Sequence, residues 1–393
     1  MNWKSVLAIL VCNIFFMSSS YTMIIPFLPM YLTSELGVSN DDVNMWSGVV
    51  FSATFVVAGI MAPIWGKLAD TKGKRLMAIR SALLISISYF LGGIVETPFQ
   101  LMLMRAFMGF AAGLWPMDLA IMSLVAPPNK LGFCLGVMNG TLTAGGVIGP
   151  LLGGLLATNF GMRVSFFIGA AALFINCLMF VFLIKEPRGE NQKPDASQPS
   201  EKLELWKIPD VRNMMIFGTL TQMFILILQP ILTTYIARLA GQIGALILVA
   251  GVVFSLGGIA GAIAAPLWGK FGQKRGFYLA MTLGMLGAGI CTIIQGFAVE
   301  IMFFATMQFA GGLFFSAIHP SIHATLAEKT PPEYKGRIFG LLFASQQIGC
   351  VIGPLFGGAI ASFFGMKYVF FAAGTILIAM SAAVRRKYLT AAR

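Results

Sequence analysis

Long apolar runs separated by short charged turns dominate this 393-residue chain. Twelve runs stand out, at roughly 5–32, 44–66, 77–95, 99–125, 133–158, 163–184, 211–237, 244–268, 277–298, 301–327, 338–362 and 367–384. Most approach the ~20 residues that an α-helix needs to cross about 30 Å of hydrocarbon. None shows the period-two alternation of a barrel strand, and only helices and closed barrels satisfy their backbone groups in lipid. The pattern predicts an all-α polytopic membrane protein with twelve transmembrane helices. Several runs contain proline or many glycines, which neighbouring helices in a bundle accommodate. The first run is too long for a signal-peptide core and leads into further spans, so it is read as a retained helix.

Composition agrees with that pattern. The chain is 58% hydrophobic and 11% charged, against about 25% charged in a soluble domain. A net charge of +12 would suggest nucleic acid in a soluble protein. Here the basic residues lie in short turns between apolar runs, where they set membrane orientation, and no nucleic-acid partner is expected. One side carries Lys67, Lys72, Lys74, Arg75, Lys130, Lys270, Lys274, Arg275, Lys329, Lys335, Arg337 and Arg385–Lys387. The other carries little beyond Arg163, Arg238 and Lys367. The rich side is predicted to be cytoplasmic, with both termini on it. Cys12, Cys134, Cys177, Cys291 and Cys350 fall singly inside apolar runs, without disulfide or zinc spacing.

The chain repeats itself. Gly146–Leu151 (GVIGPL) returns as Cys350–Leu355 (CVIGPL), an offset of 204 residues. The same shift carries Pro116 onto Pro320, Pro127-Pro128 onto Pro331-Pro332, Gly132 onto Gly336 and Gly161-Met162-Arg163 onto Gly365-Met366-Lys367. Trp65-Gly66-Lys67 recurs as Trp268-Gly269-Lys270. The longest polar stretch, 186–210, falls between the sixth and seventh runs and reads as a flexible cytoplasmic linker. The expected organisation is two parallel six-helix halves, 1–185 and 211–393, joined by that linker. Such parallel repeats are the organisation of the major facilitator fold.

Three motifs sharpen this reading. Gly66–Arg75 (GKLADTKGKR) offers glycines for a tight turn and Asp70 for a helix N-terminus or a basic partner at the rim. Its second copy, Gly269–Arg275, lacks the aspartate. Arg105 lies within the fourth run, followed by Gly109 and Gly113. A charge at that depth is costly and usually faces a cavity or a partner. Gly145, Gly149 and Gly153 form an i, i+4 stripe in the fifth run, with Pro150 and Gly154 beside it. Such a stripe permits close helix approach.

These segments resemble signatures of the major facilitator superfamily: G-x-L-A-D-x-x-G at the first loop, R-x-x-x-G in the fourth span, and G-x-x-x-G-P-x-x-G-G in the fifth. The last is typical of the family's exporters. Pro26–Pro29, Leu36–Val38, Asn44–Gly48 and Arg80–Leu83 are similar to multidrug exporters of the MdtG type. The resemblance implies alternating access in a bacterial cytoplasmic membrane, with proton-driven export of drug-like compounds. It also implies that Arg105 assists proton transfer or substrate binding and that Gly66, Asp70, Gly73 and Arg75 form a gating loop.

A proton-driven exporter needs a titratable group reachable from each side in turn. Asp118 is the clear acid inside a span, and it departs from the family pattern. His319 and His323, the chain's two histidines, stand i, i+4 in the tenth run and titrate near neutral pH. A zinc site there would need a further ligand, and only Asp118 is available. The proton-coupling set is therefore Asp118, His319, His323 and Arg105. The expected substrate cavity adds Asn13, Tyr21, Trp115, Gln222, Gln229 and Gln346. No catalytic constellation, cofactor or metal is expected. The partners are a small-molecule substrate, protons and the bilayer, and the chain is read as a monomer. The balance of one acid against Arg105 and two histidines leaves an alternative open, export of an anionic metabolite such as a carboxylate siderophore. A passive facilitator is a further alternative.

Overall fold

The computed structural model describes residues 2–127, 130–185, 208–241, 246–330 and 335–391. The expected linker lies outside these residues up to 207, as do Pro128, Pro331 and Pro332 of the repeat. The first half contains α1 (Trp3–Met23), α2 (Leu28–Ser34), α3 (Val43–Lys72), α4 (Lys74–Ile94), α5 (Pro98–Ala111), α6 (Leu114–Val125), α7 (Leu131–Phe160) and α8 (Met162–Phe182). The second contains α9 (Pro209–Ala240), α10 (Leu246–Arg275), α11 (Phe277–Gln295), α12 (Ile301–Phe315), α13 (Ile318–Lys329), α14 (Lys335–Phe363) and α15 (Met366–Ala391). Among the described residues, twelve spans are long and apolar enough to cross a membrane. Each half has its own buried apolar cluster, one running from Val6 to Ile184 and the other from Val211 to Val384.

Three boundaries differ from the sequence expectation. The first span ends at Met23, and the chain turns before the short helix α2, which proline at its start favours. The expected loop at 66–75 is mostly helix: α3 continues through Lys72, and Gly73 alone makes the turn at φ +97°. Lys67, Leu68 and Ala69 are good helix formers, so only the glycine breaks the run. Spans 4 and 10 are each two helices, α5 with α6 and α12 with α13. Pro116 and Pro320 sit in the first turn of α6 and α13, where a missing N–H does no harm, so the break falls just before each.

Glycines set the approach between helices. A Cβ at Gly145, Gly149 or Gly153 of α7 would strike Ser18, Thr22 or the backbone of Met23 on α1. The repeat does the same: Gly349, Gly353 and Gly357 of α14 lie against Thr219, Met223 and Ile227 of α9. Gly154 and Gly358 face across the molecule instead. Gly154 meets Ile247 and Leu248 at the start of α10, and Gly358 meets Asn44 and Gly48 near the start of α3. Ser255 Oγ donates to Val147 O at 2.6 Å and Ser52 Oγ to Val351 O at 2.9 Å, tying the same two interfaces. Asn44 accepts from Thr234 Oγ1 at 3.2 Å.

All of these cross-half contacts lie toward the ends of the spans remote from the chain termini. Nearer the termini, a Cβ at Gly59 or Gly66 of α3, at Gly136 or Gly140 of α7 or at Gly269 of α10 would meet nothing within 4 Å among the described residues. The close glycine contacts between the halves are thus confined to the far side among the described residues. Replacing Gly48 with leucine should prevent this approach, because its side chain would enter the Pro354 carbonyl. Spin labels at Asp41 and Phe364, read by double electron–electron resonance, should show a longer mean distance in Gly48→Leu than in the unsubstituted protein.

Candidate functional site

The break in span 4 frees backbone carbonyls inside the membrane region, and two side chains meet them. Pro116 has no N–H for Ala112 O, four residues before it. Arg80 Nη2 donates to that oxygen at 3.0 Å and to Ser81 Oγ at 2.7 Å. Trp65 Nε1 donates to Phe110 O at 2.8 Å, and the Arg80 guanidinium stacks 3.7 Å above the Trp65 ring. Arg80 Nε and Nη1 are buried without partners among the described residues. In span 10 the tryptophan bond recurs, Trp268 Nε1 to Leu313 O at 2.7 Å. Leu283 stands where the repeat would put an arginine. There an apolar hollow of about 410 Å³ opens, lined by Leu267, Trp268, Leu283, Leu313 and Phe314 among others. Sequence reasoning misses Arg80, because its separation from Pro116 along the chain hides the pairing.

Above the break, Arg105 is 2% exposed. Its guanidinium lies 5.1 Å from the Phe51 ring, and Nη1 lies 3.6 Å from Met108 Sδ. Tyr21 and Tyr89 are within electrostatic reach of it, and Tyr89 donates to Ser20 O at 2.6 Å. Tyr21 also approaches Cys350 of the opposite half, and Gln222 meets that thiol. Arg105, Tyr21, Gln222 and Cys350 therefore share one electrostatic neighbourhood where the halves meet.

Below the break, Asp118 is wholly buried and neither carboxyl oxygen has a hydrogen-bond partner among the described residues. No ion pair joins it to Arg105 or to the histidines among the described residues. His319 and His323 instead form a ladder of rings: Phe315 to His319 at 6.0 Å, His319 to His323 at 6.2 Å and His323 to Phe339 at 5.8 Å. His319 is half-buried and His323 exposed. No group of three His, Cys, Asp or Glu comes together among the described residues.

The other expected residues are dispersed. Asn13 is buried against span 6, where its backbone carbonyl accepts from Asn176 at 2.9 Å. Trp115 packs on the first-half core, and Gln346 lies against Gly218. Arg75 donates to Phe180 O at 3.1 Å and to Val181 O at 2.6 Å, capping the end of α8. Asp70 is helical, and its side chain lies outside the described residues.

A cavity of about 350 Å³ lies among spans 1, 5, 7, 8, 9 and 10. Gln229 is the one expected cavity residue on its wall. Gln295 and Gln308, which sequence reasoning does not single out, join there through a 2.7 Å bond. The lining holds no charged side chain among the described residues.

Twelve spans in two repeated halves, closed on one side around an internal cavity, define a membrane transporter. The chain belongs to the Major Facilitator Superfamily, whose sequence model matches residues 10–299 and again 214–391. It is a transport protein and not an enzyme. It is 34% identical over 380 residues to the multidrug resistance protein MdtG of Yersinia enterocolitica, covering 96% of this chain and 91% of that one. With MdtG of Proteus mirabilis it shares 35% over 378 residues, 94% of this chain and 92% of the relative. The fold also matches a mutant of the nucleoside transporter NupG, with a TM-score of 0.80, 15% identity and coverage of 97% and 99%. A bacterial homologue of the lysosomal transporter Spinster matches at 0.80, with 17% identity and coverage of 99% and 97%.

Replacing Arg80 with leucine removes charged hydrogen bonds to buried acceptors, each worth about 1.5–3 kcal/mol. Arg80→Leu should therefore lower the melting temperature of the detergent-solubilised protein clearly, with Arg80→Lys intermediate. An unchanged melt would assign no bracing role to the guanidinium.

Proposed function

We propose that this protein exports small amphipathic or drug-like compounds across a bacterial cytoplasmic membrane, in exchange for protons, by alternating access. The observation that carries this reading is identity of 34–35% with multidrug resistance proteins along nearly the whole chain. The two halves, 1–185 and 211–393, rock as bodies about the crossings at Gly48, Gly154, Gly251 and Gly358, with 186–210 as their tether. The lysines and arginines gathered on the terminal side support a cytoplasmic location for both termini. On that assignment the conformation is open to the cytoplasm and sealed outside.

Asp118 is the proposed proton carrier. Holding an isolated ionised carboxylate away from water and partners is expensive. A group sealed in one state and wetted in another therefore changes its charge with the conformational cycle. Arg105 with Tyr21 senses the opposite half through Cys350. The ring ladder from Phe315 through His323 leads from the cavity wall toward the cytoplasmic side and supports a role for His319 and His323 in the same proton traffic. Gly66, Asp70, Gly73 and Arg75 stabilise one gate. The protein works as a monomer.

A carboxylate siderophore finds no cation on the cavity wall, and the relatives give that alternative no support. A passive facilitator would equilibrate substrate without a proton gradient. In proteoliposomes, an imposed pH gradient should drive substrate uphill, and Asp118→Asn should abolish this movement while equilibrium binding persists. Uphill export by Asp118→Asn at the ordinary rate would remove Asp118 from the mechanism. The double substitution His319→Ala with His323→Ala should flatten the dependence of export on pH. An identical profile would leave the pair a packing role.

A further inference from the structure

The cavity of about 350 Å³ is within the size range of small-ligand sites, and its chemistry is selective. Gln295 of span 9 donates from Nε2 to Oε1 of Gln308 on span 10 at 2.7 Å. A carboxamide has two N–H donors and an acceptor oxygen with two lone pairs. The bond between the glutamines uses one donor and one lone pair. It leaves Gln295 Oε1 as an acceptor and Gln308 Nε2 as a donor on the same stretch of wall. Neither atom has a hydrogen-bond partner among the described residues, and neither is sealed from solvent as the buried orphan atoms elsewhere are. Rotating both amides reverses the order but keeps one of each.

The surroundings hold this pair in place and leave room beside it. Gln295 is 3% exposed, and the hydroxyl of Tyr235 bonds its backbone carbonyl. Gln308 Nε2 lies 3.2 Å from where a Cβ would stand at Gly257, so a side chain there would crowd it. Phe224 and Phe315, stacked with centroids 5.3 Å apart, and Phe254 supply flat apolar wall. Gln229 is a further amide on the span 7 wall. With no charge in the lining, an ionic ligand would lose its hydration without gaining a counter-ion.

We propose that this cavity is a binding site for uncharged planar compounds carrying adjacent donor and acceptor groups, namely carboxamides, lactams or imides, which the Gln295–Gln308 pair reads at both atoms. The inference deepens the export reading and rests on it for the claim that what binds here is cargo. A ligand lacking the donor leaves a buried glutamine acceptor unpaired, and sites of this kind discriminate against such analogues.

The test is equilibrium binding to the purified full-length protein with matched probes: 2-naphthamide, methyl 2-naphthoate, 2-naphthoate and 2-naphthyltrimethylammonium. The unsubstituted protein should bind the amide about tenfold more tightly than the ester, the worth of one good hydrogen bond, and both ions more weakly still. Gln308→Leu should lose the preference for the amide while still binding the ester, which also reports that the variant is folded. Should that variant not fold, Gln308→Met provides the same comparison. Gln308→Glu should bring the ammonium probe above the amide. Equal affinity for amide and ester in the unsubstituted protein, or a preference that survives Gln308→Leu or Gln308→Met, overturns the site. The export reading is judged apart from this. If a pH gradient drives naphthamide uphill in proteoliposomes but the glutamine variants bind it normally, the site is refuted and the export reading stands. If the variants discriminate as stated but no gradient moves any probe, the site stands and the export reading falls.

Discussion

Helices can meet backbone to backbone only where no side chain stands at the crossing, and the crossings within and between the halves obey that constraint. In lipid there is little hydrophobic gain when one helix leaves hydrocarbon for another, so close packing supplies much of the association. The glycine stripe of α7 lies against α1, and that of α14 against α9. One turn of each helix carries a further glycine, Gly154 or Gly358, pointed at the other half. The same two helices thus serve a fixed contact and a movable one. Serine hydroxyls on the partner helices reach carbonyls beside Pro150 and Pro354. The crossings between the halves therefore combine glycine contacts with polar bonds.

The scaffold is symmetric and its chemistry is not. The first half holds Arg80, Arg105 and Asp118 around a broken span, and the second holds the histidine ladder and most of the wall of the charge-free cavity. Arg105 and Asp118 lie on opposite sides of the break and do not pair, so each acts through its own surroundings. Tyr21 lies within electrostatic reach of both the arginine and Cys350 of the opposite half. On the export reading, this division separates a polar, proton-handling half from a neutral, cargo-holding one.

Much of this is legible in the sequence because membrane helices must be apolar throughout. Run lengths reveal the spans, and the shift that maps Gly146–Leu151 onto Cys350–Leu355 reveals the two halves. Glycine spacing at 145, 149 and 153 points to close packing, and the structure supplies α1 as the partner. The site is less legible. Asn13, Trp115 and Gln346 stand out for polarity or position along a span, but periodicity does not say which neighbour a face meets. Gln295 and Gln308 sit in different spans and look ordinary singly; only packing brings their amides together. The charges of Gly66–Arg75 suggest a loop in water, although charged residues extend a helix readily. The shared positions of Pro116 and Pro320 do carry a signal for the broken spans, in the rule that a proline opens a helix more easily than it continues one.

The two broken spans are not equal springs. The break in span 4 is cross-braced: Arg80 ties its carbonyl to the neighbouring helix and to the Trp65 ring. The break in span 10 has no arginine beside it among the described residues; its Leu313 carbonyl accepts from Trp268 and from the Ser316 hydroxyl, next to an apolar hollow. On the export reading, bending concentrates in span 10, where no arginine crosses the break. Span 10 also carries Gln308 and Phe315 on the cavity wall. A chamber with one compliant wall can change shape around guests of different outline while the stiffer half keeps its geometry.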